Sequence, residues 1–291
     1  MLPLFDDNPT RRVPWVTLSL IAANVAVFIY MLFLKASPMV VNGIRGVSQQ
    51  DLFIFRWSVI PSEVVHGTRA AVVAQLGISK DVYVPIFTSM FLHSGWLHIG
   101  GNMLFLWIFG NNIEDLMGPL PYLGFYLICG FAATFTHIAF NASSQNPLLG
   151  ASGAIAGILA TYLLIYPRAR VHTIVFIVLV TLPAYIVIGF WIVLQVISGV
   201  TTLPSATGGG TAWFAHIGGV AAGLMITGIF YVPLKRRRGG MPTQEIHRLF
   251  RPHDDWNRPY PPGPWPPPGA GGPGVGFGPP EHEHKQDSEE E

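Results

Sequence analysis

The chain has 291 residues, of which 50% are hydrophobic and only 11% are charged, and its formal net charge at pH 7 is +1. An average soluble domain has about 25% charged residues, so this composition excludes an ordinary soluble globule and predicts a membrane protein. Because the net charge is close to zero, bulk electrostatics predicts no nucleic-acid partner. The single cysteine, Cys129, cannot form an intrachain disulfide and is expected to be a small core residue.

Six apolar segments are candidates for membrane-spanning helices, since a span needs roughly 20 apolar residues. In chain order they are residues 15–34, 96–109, 120–140, 148–166, 174–196 and 212–232. The second segment is the weakest candidate, because glycines and polar residues dilute it. The first is expected to be a retained span, because it is too long for a signal peptide and has no small-residue cleavage site. The sequence therefore predicts an all-α polytopic membrane protein.

Basic residues in the short flanks of these segments indicate the orientation. Arg11 and Arg12 precede the first segment, Arg168 and Arg170 lie between the fourth and fifth, and residues 235–238 are all basic and follow the sixth. An even number of spans puts all three groups on one side, which the positive-inside rule assigns to the cytoplasm. We therefore predict a multi-pass protein with cytoplasmic N- and C-termini, and we expect the membrane to be a bacterial plasma membrane.

The composition changes after the last apolar segment. A run rich in proline and glycine is followed by an acidic end, and such a sequence has too little apolar surface to build a core. We expect a disordered tail with local polyproline II conformation. A protein that recognises Pro-rich motifs is a candidate partner for this tail. The predicted organisation is an N-terminal cytoplasmic segment at 1–14, a membrane domain at 15–234, and a basic anchor with the tail at 235–291.

Two apolar segments each begin with one catalytic residue type. Ser152 is the fifth residue of the fourth segment, and His216 is the fifth residue of the sixth. In the predicted topology both segments start at the outer face, so both residues lie roughly 6–8 Å below it at a rise of 1.5 Å per residue. A serine and a histidine are the minimum pair for nucleophilic acyl transfer, and polar residues inside a bilayer indicate a functional site.

Small residues next to this pair favour close packing of the two segments. Gly153 and Gly157 form a GxxxG pair in the fourth segment, and Gly219 and Gly223 form another in the sixth. Such pairs let the backbones of membrane helices approach closely, although a GxxxG pair alone usually indicates packing and nothing more. Here each pair directly follows a polar residue, which makes the pattern more telling.

The second segment adds polar side chains at the same end. Ser94 is predicted to be the N-cap of this helix, and His98 and Asn102 are four residues apart and therefore lie on one face. Both side chains can donate to the oxyanion of a tetrahedral intermediate, and the Ser152 backbone N–H, at a helix start, can be a third donor. Alternatively, His98 is a capping or packing histidine and Asn102 makes an interhelical hydrogen bond.

Taken together, these three motifs resemble the rhomboid family of intramembrane serine proteases, over roughly residues 15–232. The resemblance implies a six-transmembrane-helix rhomboid-like bundle with a water-filled cavity that opens outward. It implies Ser152 as nucleophile and His216 as general base in a dyad without a carboxylate. It further implies that His98, Asn102 and the Ser152 N–H form the oxyanion hole, that no cofactor or metal takes part, and that the substrates are transmembrane proteins cut at small residues.

One position departs from the family pattern, and another agrees with it. Four residues after the serine, many members have an aromatic residue that stacks on the catalytic imidazole, whereas this chain has Ala156. The orientation of His216 must therefore come from elsewhere. Glu114 matches a family position that ties the cytoplasmic end of the second span, and we interpret it as structural.

Three other functions remain open at this point. The first is a catalytically inactive rhomboid-like protein that binds or escorts membrane proteins, which the presence of both Ser152 and His216 disfavours. The second is a transporter, which would place its polar residues near the middle of the bilayer instead of near one face. The third is a metal site built from histidines, which the absence of HExxH and of a carboxylate at ligand spacing disfavours. These histidines are His93, His98, His137 and His216.

Overall fold

The computed structural model describes residues 1–34, 38–202 and 213–230. The basic run and the tail, and with them the predicted Pro-rich docking site, lie outside the described residues. Helices dominate the described chain: α1 (Trp15–Phe33), α2 (Gln49–Trp57), α3 (Pro61–His66), α4 (Ala71–Gln75), α5 (Val84–Thr88), α6 (Trp96–Phe105), α7 (Asn111–Met117), α8 (Pro119–Phe140), α9 (Ser152–Ile165), α10 (Ala184–Thr202) and α11 (Trp213–Phe230). A 3-10 turn (Ser89–Phe91) precedes α6, and a π-helical turn (Leu106–Gly110) joins α6 to α7.

Within the described ranges, three helices are long and apolar enough to cross a membrane by length and composition: α1, α8 and α11. Two shorter apolar helices, Ser152–Ile165 and Ala184–Gln195, accompany them. This content agrees with the predicted class, a helical membrane protein.

The helix α9 forms the centre of the bundle. It packs against both α8 and α11, and these two also pack against each other. Every residue from Gly153 to Tyr162 is buried. A helix with apolar residues on every face is stable only where protein or lipid surrounds it. The apolar composition of α9 on all its faces therefore accounts for its central position.

Glycines bring α9 and α11 into direct backbone contact. A Cβ atom built on Gly219 would overlap the carbonyl oxygen of Gly153, and one built on Gly223 would overlap that of Gly157. One turn further along, the hydroxyls of Thr161 and Thr227 are 2.7 Å apart. The two helices therefore run parallel in a fixed register, and this register brings their N-terminal ends together.

At the other end of the bundle, Glu114 of α7 holds the start of α1. Its carboxylate accepts from the backbone N–H of Val16 at 2.9 Å, the N–H of Thr17 at 2.8 Å and the hydroxyl of Thr17 at 2.7 Å. The first N–H groups of a helix have no intrahelical acceptor and carry a partial positive charge, so a buried carboxylate is stabilised there. This arrangement agrees with the structural interpretation of Glu114.

The predicted start of the fifth span is wrong. Instead of continuing a helix, the chain forms two antiparallel strands, β4 (Arg170–Val175) and β5 (Val178–Pro183), and α10 begins only at Ala184. The strand β1 (Leu2–Asp6) pairs with β4, which gives a three-stranded sheet in the order β1-β4-β5. The β-branched residues that dominate this stretch favour strands, and the N-terminal segment supplies a pairing edge that no local pattern reveals.

The connection between α1 and α6 is folded rather than a simple linker. It contains a two-stranded sheet, β2 (Met39–Val41) with β3 (Ile44–Val47), and the short helices α2 to α5, which enclose a small apolar cluster of their own. A buried ion pair joins Lys80 to Glu63 at 2.6 Å. Burial lowers the pKa of Lys80, and Glu63 opposes that effect. This layer also braces the active-site end, because Leu148 donates its N–H to the Val59 carbonyl at 2.7 Å.

Candidate active site

The serine and the histidine predicted from the sequence are in hydrogen-bond contact. Ser152 is the first residue of α9, and His216 lies in the first turn of α11. The parallel register of the two helices brings the Nε2 atom of His216 to 2.8 Å from the Oγ atom of Ser152. This separation is within the range from which a general base can take a hydroxyl proton.

The second ring nitrogen of His216 contacts α10. The side-chain Oε1 of Gln195 lies 2.6 Å from Nδ1, and the ring of Trp191 lies 5.5 Å from the imidazole, centroid to centroid. Trp191 and Gln195 are four residues apart and so face the same way. The imidazole, of which only 8% is exposed, is thus held from two sides by one helix.

The predicted N-cap of α6 is wrong. Gly95 occupies the N-cap position, and no side chain of the described residues makes a capping hydrogen bond to this helix. Ser94 stands one residue too early to cap, and its hydroxyl instead lies 3.1 Å from Nδ1 of His98. The Ser94 backbone N–H also donates toward that atom at 3.5 Å. Because Nδ1 accepts this hydrogen bond, the ring proton of neutral His98 is on Nε2, and Nε2–H can act as a hydrogen-bond donor.

Asn102, one turn after His98, is held by a histidine of the preceding loop. Its Nδ2 lies 2.9 Å from the Nε2 atom of His93. Burial, with a smaller contribution from His98, lowers the pKa of His93 to about 4. His93 is therefore neutral at physiological pH and can accept a hydrogen bond from Asn102, which fixes the orientation of that amide.

The side chains of His98 and Asn102 both flank Gly150, two residues before Ser152. A Cβ atom built on Gly150 would lie 2.8 Å from Nε2 of His98 and 3.7 Å from Nδ2 of Asn102. Gly150 also has a φ of +117°, and its N–H donates to the Ser89 carbonyl at 2.8 Å. Only glycine suits a position with both this conformation and this crowding. The four predicted side chains therefore converge on the short segment that leads into α9.

A small cavity adjoins Ser152 on the side of α8. Most of the residues that line it are small: Ser89, Gly130, Ala133, Thr134, Gly150, Gly153, Ala154 and Ala215, with Met90, Leu148 and Leu149 completing the wall. Only a small free volume remains between these walls, and Ser152 itself forms part of the lining.

His137, the remaining histidine of the predicted set, lies near the end of α8 and is buried. Its Nδ1 atom has no hydrogen-bond partner among the residues that the structure describes. The rings of His93 and His98 lie 5.0 Å apart, centroid to centroid. Over the described ranges, no group of three His, Cys, Asp or Glu side chains has an arrangement that suits a metal ion.

The comparison with known families agrees with this geometry. The family model of the rhomboid domain matches residues 80–233, more than half of the chain. The chain belongs to the rhomboid family. The matched region contains all four predicted site residues, and the family predicted from the sequence motifs is confirmed.

Several curated proteins are similar to this chain at moderate sequence identity. RHOMBOID-like protein 6, mitochondrial, of Arabidopsis thaliana is 26% identical over 162 residues, which cover 53% of this chain and 52% of the relative. RHOMBOID-like protein 1 of the same plant is 25% identical over 229 residues, 75% of this chain and 54% of the relative. Presenilin-associated rhomboid-like protein, mitochondrial, of Bos taurus is 29% identical over 129 residues, 44% and 34% respectively. The chain spans about half, or less, of the length of these relatives.

Two of these three relatives carry the word mitochondrial in their names. They support a membrane protein of the rhomboid family but not the bacterial membrane expected from the sequence, which stays a prediction.

Sequence reasoning missed the two residues of this rhomboid domain that orient the imidazole, Trp191 and Gln195. A signal for Gln195 was present, because a single amide in an otherwise apolar helix is costly unless it has a partner. The sequence does not reveal its partner. The contact joins α10 to α11, and the length of the connection between them does not indicate which faces of the two helices pack together.

Proposed function

We propose that this protein is an intramembrane serine endopeptidase that hydrolyses peptide bonds in or near the transmembrane helix of membrane-protein substrates. The observation that carries the proposal is the 2.8 Å contact between Nε2 of His216 and Oγ of Ser152. Family membership supports it, because the motifs that carry the resemblance are the ones that form this site.

In the proposed mechanism, His216 acts as general base and Ser152 as nucleophile. Nε2 takes the hydroxyl proton while Oγ attacks the carbonyl carbon of the scissile bond, which gives a tetrahedral intermediate. The imidazolium then donates that proton to the leaving amine as the C–N bond breaks, and an ester between Ser152 and the substrate remains. A water molecule, deprotonated by His216 in turn, hydrolyses the ester and regenerates the hydroxyl.

Stabilisation of the oxyanion is assigned to His98, Asn102 and the backbone N–H of Ser152. The first two donors flank Gly150, and the third belongs to the first turn of α9, where N–H groups have no intrahelical acceptor. Preorganised donors of this kind stabilise the developing negative charge of the intermediate. The contact of His98 with Ser94 and the hydrogen bond that Asn102 donates to His93 support the assignment, because they orient both side chains.

The cavity beside Ser152 supports a preference for a small residue at the cleavage site. Its walls are formed by glycine, alanine, serine and threonine at most positions, and the free volume between them is small. Substrates with an alanine, serine or glycine next to the scissile bond are expected to be cleaved best.

We propose that six helices cross the membrane, namely α1, α6 with α7, α8, α9, α10 and α11. The 14 residues of α9 span only about 21 Å at 1.5 Å per residue, less than the roughly 30 Å hydrocarbon core. This length is compatible with a crossing because protein surrounds α9, and irregular backbone at membrane depth is tolerated where protein buries it.

The proposed orientation has both termini in the cytoplasm and the active site near the outer face. It is supported by the sheet, in which the N–H of Asp7 donates to the carbonyl of Arg170 at 2.9 Å. This contact brings the basic residues before α1 and those after α9 to one end, opposite Ser152. The bacterial plasma membrane and the division into segments 1–14, 15–234 and 235–291 belong to the same proposal, as does a Pro-rich-motif partner for the tail.

A fluorophosphonate probe, which reacts with activated serines, tests the proposal directly. We expect the probe to label the wild-type protein in membranes and not the Ser152→Ala variant, and purified wild type to cleave a single-span test substrate. Ser19→Ala is the matched control, because the Ser19 hydroxyl donates to the Trp15 carbonyl of its own helix and lies outside the candidate site. A wild-type protein that inserts but is neither labelled nor active would instead be a binding or escort protein.

A further inference from the structure

Gln195 stands where it determines which nitrogen of the candidate base carries a proton. Its Oε1 atom lies 2.6 Å from Nδ1 of His216, and the opposite nitrogen, Nε2, lies 2.8 Å from Oγ of Ser152. A neutral imidazole has one N–H and one lone pair, and the partner of one nitrogen fixes the role of the other.

We propose that Gln195 is a positioning residue that keeps His216 in the tautomer with the proton on Nδ1. The proposal rests on the serine endopeptidase function proposed above, since the tautomer matters only if His216 takes a proton from Ser152. In this arrangement Nδ1–H donates to the amide oxygen, and the lone pair of Nε2 faces the serine hydroxyl.

The opposite orientation of the amide would disable the site. If the amide nitrogen faced Nδ1, it would donate there, the ring proton would move to Nε2, and no lone pair would face the serine. When the base takes its second proton, Nδ1–H continues to donate to the amide oxygen Oε1. The contact is therefore kept through every step of the reaction.

Trp191 completes the arrangement by limiting rotation of the ring. It lies one helical turn before Gln195 on α10, with its ring 5.5 Å from the imidazole and tilted by 49°. The amide oxygen of Gln195 contacts one edge of the His216 ring, and the Trp191 ring lies on one side of it. The two contacts restrain the ring about different axes, which a single hydrogen bond does not achieve.

The residue at position 156 explains why support from α10 matters. Many family members have an aromatic residue at this position, whereas this chain has Ala156, whose methyl group cannot stack on the imidazole. The contacts described for the ring of His216, apart from that with Ser152, come from Gln195 and Trp191 of α10. In this chain α10 therefore supplies the support that α9 lacks.

Three variants separate positioning from a general structural role. Gln195→Leu keeps the approximate size and removes the acceptor, whereas Gln195→Glu is nearly isosteric and keeps one. Leu194→Ala is the matched control, because Leu194 is the preceding residue of the same helix and is exposed. Each is assayed with a single-span test substrate over pH 5–9 to obtain kcat and KM separately.

We expect Gln195→Leu to lower kcat about tenfold to a hundredfold with KM within about twofold, because the loss falls on the protonation state of the base and not on substrate binding. Gln195→Glu should keep substantial activity and move the midpoint of the pH–rate profile upward, because a carboxylate favours the imidazolium. Leu194→Ala should change neither quantity. A wild-type kcat and an unmoved midpoint in both Gln195 variants would overturn the inference while leaving the protease proposal intact.

A second readout does not require turnover. Nitrogen-15 NMR of histidine-labelled protein, with His216→Ala to identify the signals, reports which ring nitrogen is protonated. We expect an Nδ1–H signal for His216 in the wild type and its loss or exchange with Nε2–H in Gln195→Leu. A wild-type ring protonated on Nε2 at neutral pH would overturn the assignment to Gln195, whether or not the protein cleaves peptides.

Discussion

At the scale of single residues, the candidate site consists of short hydrogen bonds whose partners come from different helices. His216 connects Ser152 of α9 to Gln195 of α10, while His98 and Asn102 of α6 are oriented by Ser94 and His93 in the loop before that helix. Each functional side chain therefore has a supporting residue that fixes its direction. Such support is what holds a catalytic group in productive geometry.

The dyad makes the most direct prediction. Ser152→Ala should reduce cleavage of a single-span substrate to background without changing expression, membrane insertion or the melting temperature. His216→Ala should be as damaging, and the double variant little worse, because the two groups act as a unit. Initial rates in detergent measure this. Losses that multiply in the double variant would show that the residues act independently.

The oxyanion donors should have smaller effects. His98→Ala and Asn102→Ala are each expected to lower turnover about a hundredfold, since one lost donor costs on the order of 3 kcal/mol of transition-state stabilisation. The measurement is kcat/KM for each variant, with labelling of Ser152 by a fluorophosphonate as a check that the serine is still in place. An unchanged rate with both donors removed would return these residues to a packing role.

At the scale of elements, the contact between α9 and α11 aligns the dyad. Because both helices begin at the same end and meet at glycines, their register fixes the separation of Ser152 and His216. Sequence motifs indicated close packing, but a GxxxG pair does not state which partner it meets or in which register. Those depend on α8, which packs against both helices and closes the three-helix core.

Gly219→Ala tests this alignment. The added methyl would overlap the Gly153 carbonyl, so the helices must separate, and we expect a loss of about 1–3 kcal/mol of stability together with reduced cleavage. Gly228→Ala is the matched control on the same helix, because no atom of another described element lies within 4 Å of its Cβ position. Thermal unfolding and activity of both variants provide the comparison. Equal behaviour of the two would contradict the register.

The sheet that replaces the start of the predicted fifth span adds a pH-dependent contact. Asp6 of β1 accepts hydrogen bonds from the hydroxyl of Tyr162 and from Asn112, the latter at 3.0 Å. Burial raises the pKa of Asp6 to about 6, with Asp7 adding to the shift, compared with about 3.9 in an unfolded chain. Because the pKa of the folded state is the higher one, the contribution of Asp6 to stability is present below about pH 4 and is lost as the pH rises through about 6.

Asp6→Asn should remove this dependence. We expect the melting temperature of the wild type to fall, relative to that of the variant, as the pH rises from about 4 to about 7, because only the wild type must bury a charge. Melting curves at several pH values in one detergent measure the difference. Parallel curves for the two proteins would show that Asp6 is equally solvated in both states.

At the scale of the whole molecule, the described groups of the candidate site all lie in the part of the chain that the rhomboid family model matches. The family match ends at residue 233, and every group placed in the candidate site precedes it. We expect removal of residues 241–291 to leave cleavage in detergent within about twofold of wild type, since a tail of Pro, Gly and acidic residues has no core to complete. The truncation keeps the basic run 235–238, which is expected to anchor α11. A truncated protein that inserts but does not cleave would assign the tail a role in catalysis or substrate capture.

Composition by itself determined the membrane class, and local motifs singled out Ser152, His216, His98 and Asn102 and carried the resemblance to the rhomboid family. These residues stand out because burying polar groups in lipid is costly, so the few polar residues in apolar segments are informative. Only the tertiary structure decided that 174–183 is a hairpin paired with β1, that Ser94 orients His98 instead of capping α6, and that Gln195 contacts His216. Each of these depends on a contact between residues that are far apart in the sequence. The local sequence around either residue does not encode the energy of such a contact.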